Sequence, residues 1–324
     1  MIGQTILITG GSGTFGTAFV RYALDHGARR VIVISRGEHR QAELERLIAD
    51  ARLECWLKDV TDRADMFWAM RAKPDVVIHA AACKRVEKCE ANPAFAHKVN
   101  VEGTRHVVEE AMLADIPRVL VISSDKATSP ETTYGKTKAA AEELALGQNA
   151  YRGAGRTRVS VVRYGNVLGS QGSFLDTLWR CRETGASVPI TDPVATRFWW
   201  SIDSAVAFVA SVLESMRGTE IWVPRIPSAR LTALASATAP QSSQYIVGMR
   251  GAEKLHEAMI NPTEAAYTWE LPDRFVLLPK HGQWWSPSPP PGSVKVPPSF
   301  AYTSNDSPLP VSFEVRETLC ASVS

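Results

Sequence analysis

The chain has 324 residues, enough for one large α/β domain plus a smaller lobe with a sizeable buried core. Its 45% hydrophobic and 22% charged content is that of an ordinary globular protein, and a formal net charge of +2 with no long basic run argues against nucleic acid or a membrane surface as partner. The 5 cysteines, Cys55, Cys83, Cys89, Cys181 and Cys320, are odd in number and lack paired CxxC spacing, which argues for reduced thiols and against a metal site.

The first apolar strand, Thr5-Ile6-Leu7-Ile8, starts almost at once and leaves no room for a signal peptide. No apolar run approaches the roughly 20 residues that span a bilayer, so a soluble, cytoplasmic protein is expected. The strand runs into Thr9-Gly10-Gly11-Ser12-Gly13-Thr14-Phe15-Gly16 and an amphipathic segment over residues 17–26. Strand, glycine turn and helix are the context of a dinucleotide fingerprint. Gly10, Gly13 and Gly16 permit a tight turn and close approach of backbone to pyrophosphate at a helix N-terminus.

The second strand, Arg30-Val31-Ile32-Val33-Ile34, ends in Ser35-Arg36, with Arg40 a turn further on. A carboxylate here suits the ribose 2′-hydroxyl of NAD, whereas arginine suits the 2′-phosphate of NADP; Ser35, Arg36 and Arg40 therefore favour NADP over two plain surface arginines. A third strand around Glu54-Cys55-Trp56-Leu57 leads to Asp59-Val60, where Asp59 either accepts a bond from the adenine amine or caps the next helix. The fourth strand, Asp75-Val76-Val77-Ile78-His79, ends in Ala80, Ala81 and Ala82, whose small side chains let a nicotinamide ribose and phosphates lie against backbone. Lys84 and Arg85 follow, near those phosphates or as surface charges. Asn100 is expected to start a helix and to order backbone or water near the site.

The fifth strand, Arg118-Val119-Leu120-Val121-Ile122, ends in Ser123-Ser124-Asp125-Lys126-Ala127 and, past a turn, Tyr134-Gly135-Lys136-Thr137-Lys138. Residues four apart on a helix share a face, so Lys138 is expected beneath Tyr134 with its ammonium near the phenol. A free phenol, with a pKa of about 10, is a poor base. A nearby cation and an oxidised nicotinamide favour phenolate, so Tyr134 can take a proton from a sugar hydroxyl while hydride leaves the same carbon. A solvated Tyr/Lys face is the plain alternative, disfavoured by the preceding Ser-Ser-Asp-Lys and the upstream glycine turn.

Strands alternating with helices argue for an α/β fold, a doubly wound parallel Rossmann sheet over residues 1–167, with 196–225 returning to it. Residues 168–195 and 226–278 are expected to form a smaller C-terminal substrate-binding lobe. There Arg197 and Arg250 offer planar donors for a diphosphate, unless residues 250–257 are merely a charged helix. The Pro-rich extension, 279–324, is expected to be irregular, wrapped on the surface or on a neighbouring subunit, or else a flexible tail.

These pieces in order resemble the extended short-chain dehydrogenase/reductase superfamily, and closely the inverting UDP-N-acetylglucosamine 4,6-dehydratases of pseudaminic acid biosynthesis. The resemblance rests on Ser124-Asp125-Lys126-Ala127, Val162-Arg163-Tyr164-Gly165-Asn166-Val167, Ile190-Thr191-Asp192, Thr196-Arg197-Phe198-Trp199 and Glu253-Lys254-Leu255-His256-Glu257. It implies tightly held NADP, a UDP-sugar substrate and a homo-oligomer, commonly a hexamer. Tyr134 would take the C4 hydroxyl proton as C4 hydride is lost, Lys126 would be the base at C5, Asp125 the acid for the C6 hydroxyl, and Lys138 the partner of Tyr134. It further implies cofactor contacts from Thr14, Phe15, Val60 and Tyr164, and sugar-nucleotide contacts from Lys84, Asn166, Thr191, Arg197, Arg250 and Glu253.

Tyr134 separates this chain from retaining relatives, which carry Met there. Cys83, Arg85, Glu87 and Ala252 depart from residues usual in the family, respectively Leu, His, Pro and Gly. A nucleotide-sugar 4-epimerase, which needs Tyr134, Lys138 and coenzyme but no Asp-Lys pair, and a non-catalytic NADP-binding sensor are the competing expectations.

Overall fold

The computed structural model describes residues 1–151, 155–170, 173–249, 251–279 and 288–306. Six parallel strands carry the nucleotide-binding half: β1 (Thr5–Thr9), β2 (Arg30–Ser35), β3 (Leu53–Leu57), β4 (Val76–His79), β5 (Arg118–Ser124) and β6 (Arg158–Tyr164). They lie in the order β3-β2-β1-β4-β5-β6. Their runs of Val, Ile and Leu suit strands covered by helices on both faces, and β1 is buried at every position. This is the doubly wound order, and it reverses between β1 and β4, where a crevice opens beyond the strand carboxyl ends.

The sheet does not stop at β6. Ile221–Pro224 pairs parallel to it, and Arg274–Leu277, Thr268–Glu270 and Val294–Lys295 follow antiparallel, making ten strands. Residues 268–277, within the range expected for the lobe, thus belong to the central sheet. Thr196–Trp200, within the range expected to return to that sheet, instead pairs with Asn166–Val167 and Ser228–Arg230 in a separate three-stranded sheet. The lobe has its own apolar core, in which Leu175 and Leu178 pack with Leu231 and Leu234.

The Pro-rich segment is more ordered than its composition suggests. Besides Val294–Lys295, Tyr302–Thr303 pairs with Ala258–Ile260, because Phe300 and Tyr302 anchor on Phe275 and the Tyr302 hydroxyl donates to the Ile226 carbonyl at 2.9 Å. Residues 280–287 and 307–324 of that segment, Cys320 among them, lie outside the described residues.

Asn100 does not start a helix. It sits in a π-turn, Lys98–Glu102, inside a continuous helical run into Gly103–Leu113, and the extra residue in that turn redirects its side chain. Its Oδ1 accepts from the Cys83 amide at 2.7 Å, and its Nδ2 donates to the Cys83 carbonyl at 3.1 Å and to Thr137 Oγ1 at 2.9 Å. The loop leaving β4 is thereby tied to the helix that bears Tyr134.

Candidate functional site

One large cleft of ≈ 2040 Å³ opens at the carboxyl ends of the parallel strands. Its floor is the glycine turn after β1. Gly10 has φ +71°, and a Cβ there would lie 2.8 Å from the Ala81 amide nitrogen, so the first turn and the end of β4 touch through bare backbone. The helix Thr14–Asp25 starts from Gly13, which offers no side-chain cap, so its first amides face the cleft as an anion site. Gly10, Gly13, Thr14, Phe15, Gly16, Ser35, Arg36, Arg40, Asp59, Val60, the three alanines 80–82, Lys84 and Tyr164 all line it.

At the far end of that floor, Arg36 is half exposed, with Nη1 3.5 Å from Asp59 Oδ2. β2 ends at Ser35 with Arg36 next, and the first carboxylate after it, Glu38, does not line the cleft. Asp59 is not the helix cap: it accepts from the Thr61 amide at 2.8 Å, while Asp62 caps Arg63–Met70 through the Ala64 amide. Burial, with Arg85 and Arg40 nearby, holds the Lys84 ammonium below its usual range. Asn100 does not line the cleft; it acts on it through Cys83, which does.

The reactive wall comes from the end of β5. A 3₁₀ turn, Asp125–Ala127, is capped by Ser124, and the helix Thr133–Gly147 follows, capped by Thr132 accepting from the Gly135 amide at 3.0 Å. Gly135 is what lets the two pieces meet, since a Cβ there would collide with the Lys126 carbonyl oxygen. Tyr134 and Lys126 consequently face the same cleft, with Ser124 between them.

Asp125 is fully buried behind this wall. Its Oδ1 is bonded to Ser124 Oγ at 2.8 Å and Lys126 Nζ at 3.2 Å, while Oδ2 has no partner. Burial raises its pKa, Lys126 opposes, and nearby Glu257 raises it further. Burial pushes Tyr134 up to about 12 against the pull of Lys126 and of a hydrogen bond with Ser124. Lys126 is held above its usual range: burial disfavours its charge, but Asp125 and Glu257, the latter at 3.3 Å, outweigh that.

Lys138 differs from expectation. Its Nζ donates to the Ile122 carbonyl at 2.6 Å, and burial lowers it to about 8. Lys126 is a cation that opposes the rise of the phenol. Lys138 still lines the cleft beside Tyr164 and Asn166.

In the lobe, Arg197 Nη2 donates to Glu253 Oε1 at 2.7 Å, and Nη1 to the Thr196 carbonyl, also at 2.7 Å. Thr191 Oγ1 reaches the same carboxylate at 3.3 Å and does not itself line the cleft. Arg250 lies outside the described residues. Residues 251–257 are no helix; Thr196 and His256 form an isolated bridge. Ala252, where the family usually has Gly, stands at φ 62°, a left-handed backbone that explains the usual residue.

Sequence reasoning passed over Ser124, Gly135 and Glu257 as site residues, although all three sit inside motifs it singled out. Nor did spacing reveal that Cys83 and Cys89 meet, with sulfurs 3.4 Å apart as free thiols. Among the described residues no group of three or more His, Cys, Asp or Glu is placed to hold a metal, and no helix is long and apolar enough to cross a membrane.

A Rossmann sheet with a glycine cradle and a Ser, Tyr and Lys wall at its switch point defines an α/β protein of the extended short-chain dehydrogenase/reductase type. More particularly, the chain belongs to the polysaccharide biosynthesis protein family, whose model matches residues 6–279. It is 39% identical over 279 residues, 86% of this chain and 83% of the relative, to a Campylobacter jejuni protein named UDP-N-acetylglucosamine 4,6-dehydratase (inverting). A Rickettsia massiliae UDP-glucose 4-epimerase is 31% identical over 290 residues, 87% of this chain and 84% of the relative. Among solved structures, that of Pen from Bacillus thuringiensis superposes with a TM-score of 0.90 at 27% identity, covering 99% of this chain and 98% of the other.

Proposed function

We propose that this protein is an NADP-dependent UDP-N-acetylglucosamine 4,6-dehydratase that inverts C5. The observation that carries it is the convergence of Ser124, Lys126 and Tyr134 on one cleft wall above a glycine cradle, with Asp125 bonded to Ser124 and Lys126 from behind. The C. jejuni relative at 39% identity supports the substrate class. Arg36 and Arg40 line the cleft where β2 ends in Ser35 and not in a carboxylate, which favours the 2′-phosphate of NADP. The bare backbone of Gly10 against Ala81 and the uncapped helix at Gly13 fit a pyrophosphate. Bound there, the nicotinamide coenzyme supplies an acceptor and donor of hydride.

The residues then divide the proton work. Tyr134 takes the C4 hydroxyl proton as the C4 ketone forms, and the ketone acidifies C5–H. Lys126 Nζ, as the amine, takes the C5 proton. Asp125, whose pKa burial raises, supplies the proton with which the C6 hydroxyl leaves as water, relayed by the Ser124 hydroxyl that touches both Asp125 and the cleft. A 4-epimerase needs the phenol and the coenzyme but has no use for a carboxyl and an amine at the end of β5, which is why dehydration is favoured.

Incubation with UDP-N-acetylglucosamine in deuterated water tests this. Mass spectrometry should show loss of one water, and NMR should show deuterium at C5 with inverted configuration. Unchanged mass with altered stereochemistry would reject dehydration in favour of epimerisation. Lys126→Ala should retain NADP binding and lose both water release and C5 exchange; normal turnover would remove Lys126 from its role.

A further inference from the structure

The reaction above asks Lys126 to be an amine, yet the cleft holds it as an ammonium. Four groups face it: Asp125 on its own turn, Tyr134 from the helix Thr133–Gly147, Arg197 from the strand Thr196–Trp200, and Glu257 from the segment leading into Ala258–Ile260. Tyr134 serves the C4 hydroxyl, and Arg197 is a cation paired with Glu253 at 2.7 Å and with Glu257 at 3.9 Å, so the groups left to accept a proton from Lys126 are the two carboxyls. Asp125, fully buried and raised by that burial, is the one placed to give a proton to the leaving hydroxyl. Glu257 is the other. Its side chain is only 5% exposed, Oε1 lies 3.3 Å from Lys126 Nζ, and Oε2 is buried without a partner. A carboxylate oxygen buried without a bond is costly, and this one is free to accept a proton. Lys126, Arg197 and Lys254 keep Glu257 ionised at rest, against burial.

We infer that Glu257 is the positioning residue that takes and returns the proton of Lys126, so that one ammonium bridging two carboxyls serves as a closed proton relay. This rests on the dehydratase reading. An N–H proton passes from Lys126 to Glu257 Oε1, leaving two neutral groups in place of an ion pair. The amine then takes the C5 proton, the C–H electron pair moving into the C4 carbonyl as an enolate. As the enolate expels the C6 hydroxyl, the Asp125 proton leaves with it in water. The Glu257 proton then passes across Lys126 to Asp125, which Nζ reaches at 3.2 Å, restoring the resting state. The proton taken from C5 thus replaces the one lost to water. C5 then regains a proton from solvent on the opposite face, and the C4 hydroxyl proton held by Tyr134 goes to solvent, so that one water is lost in each cycle.

Two readouts on Glu257→Gln and Glu257→Asp test this. The first needs no turnover: pH-dependent acetylation of Lys126 by acetic anhydride, read by peptide mass spectrometry, reports where its ammonium titrates. Glu257→Gln should move that midpoint down by about 1 pH unit or more, and Glu257→Asp by less. The second is steady-state turnover of UDP-N-acetylglucosamine in deuterated water. In Glu257→Gln, kcat and C5 exchange should fall by about 10²-fold with KM nearly unchanged, and Glu257→Asp should recover part of the loss. An unchanged acetylation midpoint in Glu257→Gln overturns the inference whatever the activity, and so does full kcat. If the wild-type protein releases no water from the sugar nucleotide while the midpoint still shifts, the dehydratase reading fails and the ionic pairing of Glu257 with Lys126 stands.

Discussion

Tyr134 shows how far one residue's chemistry depends on what it faces. Buried, with a pKa of about 12, the phenol is a weaker acid than in water, although Lys126 pulls it the other way. Tyr134→Phe keeps the ring and removes the proton acceptor. Turnover should fall by about 10²–10⁴-fold while affinity for the nicotinamide coenzyme stays within a few-fold, as initial rates and fluorescence titration would show. Wild-type rates in that variant would move the C4 proton to another group. Helical spacing placed Tyr134 and Lys138 on one face, and both do line the cleft. It could not reveal that Lys138 Nζ bonds the Ile122 carbonyl, because that oxygen belongs to a strand end whose position only packing sets.

At the scale of elements, the site is a junction between the 3₁₀ turn Asp125–Ala127 and the helix Thr133–Gly147. Their close approach is set by Gly135, whose missing side chain leaves room for the Lys126 carbonyl. Gly135→Ala must push the helix start away. It should destabilise the fold by about 1–3 kcal/mol, seen as a lower urea midpoint. It should also cost more in kcat than in NADP affinity, since the glycine cradle after β1 is untouched. A variant with unchanged midpoint and kcat would show that the junction tolerates the shift. The strand–turn–helix order of these elements was legible in the sequence through apolar runs and capping residues. The π-turn at Asn100 was not, because an extra residue within a helix leaves no mark on composition or period.

Across the whole molecule, a buried chain of hydrogen bonds links β1, β4 and the helix behind them. His79 Nδ1 is bonded to Thr9 Oγ1 at 2.7 Å and Nε2 to Thr104 Oγ1 at 3.0 Å, and Thr104 donates to the Asn100 carbonyl at 2.6 Å. Burial, aided by Lys138, lowers His79 to about 3. An unfolded histidine titrates near pH ~6.5. Between those values the unfolded chain binds the extra proton, so stability is full above about pH 6.5 and falls as pH drops toward 3. His79→Gln should be less stable than wild type at pH 7.5, and the gap should narrow by pH 5, measured by urea unfolding at both. Equal losses on acidification in the two proteins would assign the acid sensitivity elsewhere.

The amino-acid order by itself determined the strand sequence of the nucleotide-binding half, the glycine turn and the grouping of Asp125, Lys126 and Tyr134 near one strand end. These are local patterns, carried by the period of apolar side chains and by residues with special backbone freedom. Only the tertiary structure decided that Glu257, 131 positions after Lys126 in the numbering, closes on its ammonium. It also decided that Asp125 lies behind the wall and not in it. Charge state follows from burial and from neighbours distant in sequence, and both exist only once the two lobes have closed around the cleft.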